Sequence, residues 1–224
     1  MGEKAQQERN EIVRKKMLDL RDFSIGPMPQ NSPWLRPVRI SFQQDGVQKA
    51  WDLMRAHESV SILIFNTTRK KLVFVRQFRP AAYYACIPET KGPVDTEKYP
   101  PVMGLTLELC AGIVDKDKSL VEIARDELRE ECGYEAPASA FSKIVTYRNV
   151  STTATRHTLY YVEVTDDMHV HPGGGAEEED ELIEVVDMSV RELKNYIESD
   201  EVQSPPGFLF AAHWFLSNKK EHCS

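Results

Sequence analysis

Apolar and polar residues alternate with strand-like spacing over much of the chain. The segments LRPVRISF (35–42) and VQKAWDLM (47–54), separated by a turn at 44–46, predict a β-hairpin. SVSILIFN (59–66) and KLVFVRQF (71–78) predict a second hairpin, and their many β-branched and aromatic residues are typical of central strands. Further strands are expected at 105–112, 143–148, 157–164 and 181–188.

The spacing of apolar residues changes to a helical one between Ser119 and Cys132. Ser119 and Glu122 form the S-x-x-E pattern of a capping box, and Gly133 supplies a stop signal. Other helices are expected within residues 1–24, with Ile12, Val13, Met17 and Leu20 on one side, near 190–199 and near 207–217. The proline-rich stretch 81–103 predicts a long loop. Strands and helices are thus mixed without a βαβ repeat.

Length and composition favour one principal domain, because 224 residues with 41% hydrophobic content can form one sizeable core. We place it at residues 35–218, preceded by an extension at 1–34. The net charge of -7 argues against binding to nucleic acid or to an anionic membrane surface. A phosphate-bearing ligand must therefore be met by local cations.

The sequence also predicts a soluble, cytoplasmic protein. No apolar run approaches the roughly 20 residues that span a bilayer, and the first residues lack the apolar stretch of a secretory signal. The cysteines are scattered without a C-x-x-C pair, so we expect reduced thiols.

Three carboxylates are crowded into the C-terminal half of the predicted central helix. Glu127 shares a face with Glu130 and Glu131, three and four residues later. A solvated acidic face is the simpler interpretation. Like charges at this spacing repel each other, however, and acids are disfavoured at a helix C-terminus. A divalent cation would remove both penalties, and oxygen ligands favour Mg²⁺, with Mn²⁺ as the alternative.

The segment Gly112 to Tyr134 resembles the Nudix box, a 23-residue signature of a family of hydrolases, with matches at Gly112, Glu127, Leu128, Glu130, Glu131, Gly133 and Tyr134. The resemblance implies an α/β (α+β) fold, an α/β/α sandwich around a mixed β-sheet. It also implies that Glu127, Glu131 and the main-chain carbonyl of Ala111 bind metal and that Glu130 assists catalysis.

Two positions depart from the box. Lys118 stands where the family has Glu, and Asp126 stands where it has Arg. In the family these residues are thought to pair and to brace the loop against the helix. Because both charges are reversed here, we interpret them as a compensated swap; loss of the brace would instead suggest a non-catalytic binder.

A second acidic cluster follows a glycine run in PGGGAEEEDELIEVV. Alone, such a cluster is usually a solvated loop. The chain is similar to ADP-ribose and nucleoside-diphosphate-sugar pyrophosphatases, in which a loop here carries catalytic glutamates. The similarity implies Glu179 as the base that activates water, with Glu178 as the alternative, and Glu181 as a metal ligand.

The same similarity extends to residues expected to bind substrate. Arg79, in the segment QFRP, is implied to contact the diphosphate, and a guanidinium suits that geometry. Trp51 and Asp52 match positions near the nucleotide base, and Trp34 is a candidate stacking partner for Trp51. Core packing is the alternative for both tryptophans. Arg156 is a weaker candidate for phosphate or sugar contact.

The likeness spans about residues 30 to 218 and implies a function. The expected reaction is Mg²⁺-dependent hydrolysis of a nucleoside diphosphate sugar, with UDP-glucose giving UMP and glucose 1-phosphate. ADP-ribose is the alternative substrate, and a catalytically silent ligand-binding protein is the alternative outside enzymes. The related enzymes are dimers with exchanged N-terminal strands, so we expect a homodimer formed through residues 35–55.

Overall fold

A computed structural model describes residues 3–30, 32, 35–175 and 180–223. Its helices are α1 (Glu3–Met17), α2 (Pro80–Ala85), α3 (Leu120–Cys132), α4 (Val190–Ile197) and α5 (Pro206–Asn218). Its strands are β1 (Ser24–Ile25), β2 (Arg36–Gln44), β3 (Val47–Arg55), β4 (Ser59–Asn66), β5 (Lys71–Phe78), β6 (Gly92–Pro93), β7 (Leu105–Glu108), β8 (Cys110–Ile113), β9 (Ser142–Arg148), β10 (Arg156–Val164) and β11 (Glu184–Ser189). The predicted hairpins, the central helix and the two C-terminal helices are confirmed.

The main sheet of the described chain has seven strands and is mixed. Its path runs β11-β5-β4-β10-β9, and only β4 and β10 pair in parallel. Strands β4 and β5 pair only near their connecting turn, from Ile64 to Asn66 and from Lys71 to Val73. Farther along they separate, and β7 pairs with β5 while β8 pairs with β4.

The opening between β4 and β5 corrects the prediction of one strand at 105–112. The chain crosses from one strand to the other at Leu109, so the segment forms two short strands. The crossing brings Ala111 and Gly112 to the edge of the sheet that faces α3. The predicted loop at 81–103 is also corrected, because it contains the short helix α2 and a 3-10 turn at Pro101–Gly104.

Apolar residues of the strands alternate between two cores, which gives the expected α/β/α sandwich. Ile62 and Ile64 of β4 face a core shared with α3, to which Ile123, Ala124, Leu128 and Cys132 contribute. Leu63 and Phe65 face the opposite core, which α4 and α5 cover with Leu193, Phe208, Ala211, Ala212 and Phe215. The sheet therefore separates α3 from the two C-terminal helices.

Helix α3 begins and ends as its sequence predicts. The Ser119 hydroxyl accepts a hydrogen bond from the Glu122 main chain, and the Glu122 side chain accepts one from the Ser119 main chain. At the other end, Gly133 adopts a left-handed conformation with φ 77°, which is strained for residues with a β-carbon. The helix that contains the acidic cluster is thus fixed at both ends.

Helix α1 packs against strand β11 at the edge of the main sheet. Val13 and Met17 are buried, but Ile12, which was expected on the same side of the helix, is 60% exposed. Arg14 donates two hydrogen bonds to the buried Glu184 carboxylate, at 2.6 and 2.9 Å. The domain boundary placed at residue 34 stays a prediction.

The hairpin β2–β3 forms a separate two-stranded sheet. Its register pairs Val38 with Leu53 and Ile40 with Trp51, so these residues share one face. Ile40 is 43% and Trp51 is 59% exposed, although both are large and apolar. The hairpin therefore presents an apolar face that the described part of this chain leaves uncovered. None of the described helices is both long and apolar enough to cross a bilayer.

Candidate active site

A cleft of about 400 Å³ lies between the C-terminal half of α3 and the opened edge of the sheet. It is lined by Ser59, Gln77, Arg79, Ala111, Gly112, Ile113, Asp115, Lys116, Glu127, Glu130, Glu131, His157 and Glu181. Six of the residues singled out from the sequence are among them, namely Arg79, Ala111, Glu127, Glu130, Glu131 and Glu181. The fold thus gathers the acidic helix, the predicted main-chain ligand and the predicted arginine around one space.

Glu131 is the most buried of these carboxylates, with 5% exposure. The Ala111 main-chain N–H donates a hydrogen bond of 2.9 Å to one of its oxygens. Burial, together with the neighbouring Glu127 and Glu181 carboxylates, raises the pKa of the Glu131 carboxyl to about 8. The site thus stores an electrostatic penalty that a bound cation would relieve.

Glu127 lies directly over the main chain of Gly112. A β-carbon at position 112 would overlap with the Glu127 carboxyl group, so a larger residue there would displace this side chain. Helix α3 and strand β8 therefore approach so closely that Glu127, Glu131 and the Ala111 main chain form one wall of the cleft.

The glycine run at 173–175 forms main-chain hydrogen bonds with the C-terminal end of α3. The Gly174 N–H donates to the Glu131 carbonyl at 2.7 Å, and the Gly175 N–H donates to the Glu130 carbonyl at 3.1 Å. Arg9 of α1 in turn donates to the Gly173 carbonyl at 2.7 Å. Helix α1 is therefore connected to the end of α3 through this glycine run.

Glu181 is exposed and reaches the cleft from the far side of the glycine-rich loop. A β-carbon at Gly175 would overlap with the Glu181 side chain, which shows how closely the two ends of the loop approach. The predicted base Glu179 and its alternative Glu178 lie outside the described residues.

Arg79 enters the cleft in a fixed orientation. It donates two hydrogen bonds to the buried Glu108 carboxylate, from Nε at 2.8 Å and from Nη2 at 2.7 Å. The Thr106 hydroxyl also donates to Glu108, at 2.6 Å. This bidentate pair holds the pKa of Glu108 below its usual value despite the opposing effect of burial. The arginine is 47% exposed, so its face remains available to an anion.

The other predicted substrate residues are not brought into this cleft within the described chain. Trp51 and Asp52 lie on the hairpin, where Asp52 accepts two hydrogen bonds from Arg39, each 2.7 Å long. Arg156 lines a separate pocket and lies 3.9 Å from Glu58. Trp34 lies outside the described residues. The described residues therefore assemble the acidic part of the predicted site, and Trp51 lies outside it.

Sequence reasoning missed Glu108 and His157. Glu108 interrupts the apolar run LTLELC, and an acid in such a run usually has a buried cationic partner, so its pairing with Arg79 could have been predicted. Nothing in the local sequence of His157 predicts that it lines the cleft. Its position depends on the parallel pairing of β10 with β4, between distant segments of the chain.

The donor set of the cleft fits a hard divalent cation. Its acidic side chains are carboxylates, and oxygen ligands are those that hard divalent cations prefer. Within the ranges that the structure describes, no three histidine, cysteine, aspartate or glutamate side chains form a ready-made metal cluster. A cation here would need further oxygens, from water or from a substrate's phosphates.

The chain is 40% identical to the uridine diphosphate glucose pyrophosphatase NUDT14 of Mus musculus over 207 residues, which make up 87% of this chain and 93% of the relative. The chain belongs to the Nudix hydrolase family. A second relative is the uridine diphosphate glucose pyrophosphatase NUDT14 of Bos taurus. It is 38% identical, over 83% of this chain and 90% of the relative. GDP-mannose pyrophosphatase of Escherichia coli (strain K12) is 29% identical, over 64% of this chain and 65% of its own.

The fold comparison agrees with this assignment. The crystal structure of an ADP compounds hydrolase superimposes with a TM-score of 0.59 at 14% identity, over 88% of this chain and 92% of that one. At this identity the likeness concerns the fold alone. No protein-family model matches the chain.

The Nudix box of this chain keeps a bracing pair with exchanged charges. Lys118 Nζ donates to Asp126 at 2.6 Å, which links the loop before α3 to the helix itself. Partial burial opposes ionisation of Asp126, but the Lys118 ammonium outweighs it and lowers the pKa of the carboxyl. The predicted contact is therefore confirmed.

Proposed function

We propose that this Nudix hydrolase cleaves the diphosphate bond of a nucleoside diphosphate sugar, with UDP-glucose as substrate and UMP and glucose 1-phosphate as products. Water attacks one phosphorus, the bond from that phosphorus to the bridging oxygen breaks, and the bridging oxygen leaves with the other phosphate. The names of the mouse and cattle relatives support UDP-glucose as the substrate.

The observation that supports this function most is the convergence of Arg79 with Glu127, Glu130 and Glu131 in one cleft. A diphosphate needs cations around it, and the carboxylates alone would repel it. Arg79 supplies one fixed cation, and its planar guanidinium suits two phosphate oxygens. The acidic wall is useful only if it binds metal.

We assign Glu127, Glu131, Glu181 and the Ala111 carbonyl to the binding of Mg²⁺, with Mn²⁺ as the alternative. When bound, the metal would screen the diphosphate, orient the attacking water and stabilise the leaving phosphate. Glu131 is held for this role by the Ala111 N–H. Glu130 is assigned an assisting role, because it lines the cleft beside the ligands.

The base that accepts the proton of water is assigned to Glu179, with Glu178 as the alternative. Both follow the glycine run whose main chain contacts the end of α3. The Glu179→Gln variant should lower kcat with little change in metal affinity. If Glu178→Gln gives that result instead, the assignment moves by one residue.

A homodimer is proposed because the hairpin exposes an apolar face. Val38, Ile40, Phe42 and Trp51 lie on this face and are each at least 36% exposed, an exposure typical of a protein interface. A second copy would cover this face through exchanged hairpins and could bring Trp51 and Asp52 toward the nucleotide base. Ile40→Asp should shift the protein toward monomers in light scattering, and unchanged mass would contradict this.

Product analysis tests the proposed reaction. Purified protein with Mg²⁺ should convert UDP-glucose to UMP and glucose 1-phosphate faster than it converts ADP-ribose to AMP and ribose 5-phosphate. Excess EDTA should stop both reactions. Faster turnover of ADP-ribose would overturn the substrate assignment, and absence of any product would favour the silent binding protein.

We also propose a cytoplasmic location, which the four free cysteines support.

A further inference from the structure

A second cavity adjoins the cleft between α3 and the sheet. It has a volume of about 300 Å³ and shares Ala111 and His157 with the cleft. Its lining also includes Ser61, Glu108, Tyr147, Asn149 and Gly207. Strands of the sheet and the beginning of α5 therefore enclose a space next to the position assigned to the diphosphate.

The wall between cleft and cavity is a neutral histidine. The His157 ring nitrogens lie 2.6 Å from the Ser59 hydroxyl and 2.7 Å from the Ser61 hydroxyl. Burial lowers the pKa of His157, so the imidazole is uncharged at neutral pH. The two serines fix the ring plane, so His157 forms a rigid partition between the two spaces.

Tyr147 gives the cavity a polar group, its side-chain hydroxyl. Its ring centroid lies 5.0 Å from that of His157, and no described residue forms a hydrogen bond with its hydroxyl. A β-carbon at Gly207 would overlap with this hydroxyl. The glycine therefore leaves the space in which the Tyr147 hydroxyl sits.

The lining contains almost no net charge. Glu108 is its one carboxylate among the described residues, and Arg79 neutralises it through two hydrogen bonds. The remaining groups are hydroxyls, an amide, aromatic rings and prolines. Such a surface suits a neutral ligand with several hydroxyl groups. The volume is at the lower end for ligand pockets, which fits one monosaccharide ring better than a complete nucleoside.

We propose that this cavity is the sugar subsite, in which the Tyr147 hydroxyl binds a hydroxyl of the hexose while the diphosphate lies in the adjoining cleft. The inference rests on the proposed function. Tyr147 is then a specificity-determining residue, and Gly207 is required because it leaves room for the tyrosine hydroxyl.

Three substrates separate the sugar from the base. UDP-glucose and ADP-glucose share the hexose, whereas UDP-glucose and the methyl ester of UDP share the uridine diphosphate, and the methyl ester lacks the hexose. Tyr147→Phe should lower kcat/KM for both glucose-containing substrates by about 2- to 10-fold, the range for one lost hydrogen bond. It should leave the methyl ester unaffected.

Two further variants separate binding from folding. Gly207→Ala places a β-carbon against the Tyr147 hydroxyl and should reproduce the substrate pattern of Tyr147→Phe, while its circular dichroism spectrum should show that the fold is retained. Tyr84 is an exposed tyrosine outside both cavities. The Tyr84→Phe variant should therefore leave kcat/KM unchanged for all three substrates.

The outcomes are distinct. An equal loss with the methyl ester, or no loss with any substrate, would overturn the sugar subsite. A loss with UDP-glucose that spares ADP-glucose would assign the cavity to the base instead. If the unmodified protein hydrolyses none of the three, the proposed function fails and the sugar subsite fails with it.

Discussion

Glu108→Gln tests whether Arg79 is positioned by its buried partner. The substitution keeps the shape of the side chain but replaces one carboxylate oxygen by an amide nitrogen. Arg79 donates to both oxygens, at 2.8 and 2.7 Å, so one of its N–H groups would face another donor. Glu108→Gln therefore removes one of the two charge-assisted hydrogen bonds that Arg79 donates.

The expected loss of stability depends on how far the pair is shielded from water. A hydrogen bond to a charged group contributes roughly 1.5–3 kcal/mol. Because Arg79 is 47% exposed, water replaces part of this contribution, and we expect a loss of about 1–2 kcal/mol. For a chain of this size that corresponds to a melting temperature lower by about 2–8 °C. An arginine that is no longer fixed must be ordered by the substrate, which should raise KM about 2- to 10-fold.

The assay combines thermal unfolding with initial rates over a range of UDP-glucose concentrations. Glu135→Gln is the control, because Glu135 is exposed and lies outside the cleft; its KM should not change. If Glu108→Gln retains both the melting temperature and the KM of the unmodified protein, Glu108 does not position Arg79.

Four further changes have defined outcomes. Asp126→Arg alone should lower activity more than the same change combined with Lys118→Glu, and equal defects would refute the exchanged brace. Gly133→Ala should lower the free energy of unfolding by at least about 1 kcal/mol, since φ is 77° there; unchanged stability in denaturant would contradict this. Arg14→Met leaves a buried carboxylate on β11 with fewer partners and should cost about 1–3 kcal/mol of stability, measured by denaturant unfolding. Burial lowers the pKa of His157, so stability should fall as pH drops below about 6.5, where the unfolded chain binds the proton more strongly. Thermal scans should show a smaller fall in His157→Gln, and parallel curves would argue against this.

Local sequence signals predicted the parts of the structure that depend on local interactions. The capping box at Ser119 and the left-handed Gly133 define α3 without help from distant residues. The pair between Lys118 and Asp126 was also predictable, because the two residues are eight positions apart across one helix start.

Features that depend on distant pairings were not predictable in this way. The break at Leu109 arises because β4 and β5 separate, which the pattern of apolar residues does not encode. Ile12 was expected on the same side of α1 as Val13 and Met17, yet it is exposed while they are buried against the rest of the chain. His157 reaches the cleft through the parallel pairing of β10 with β4.

The acidic wall of the cleft is proposed to bind the metal that hydrolysis requires. This role is tested most directly by the rate of UMP formation from UDP-glucose at saturating Mg²⁺, compared among the unmodified protein, Glu131→Gln and the exposed control Glu135→Gln. We predict that Glu131→Gln lowers this rate by orders of magnitude, that Glu135→Gln leaves it unchanged and that EDTA abolishes it. A Glu131→Gln protein as active as the control, or activity that persists in excess EDTA, would contradict the claim.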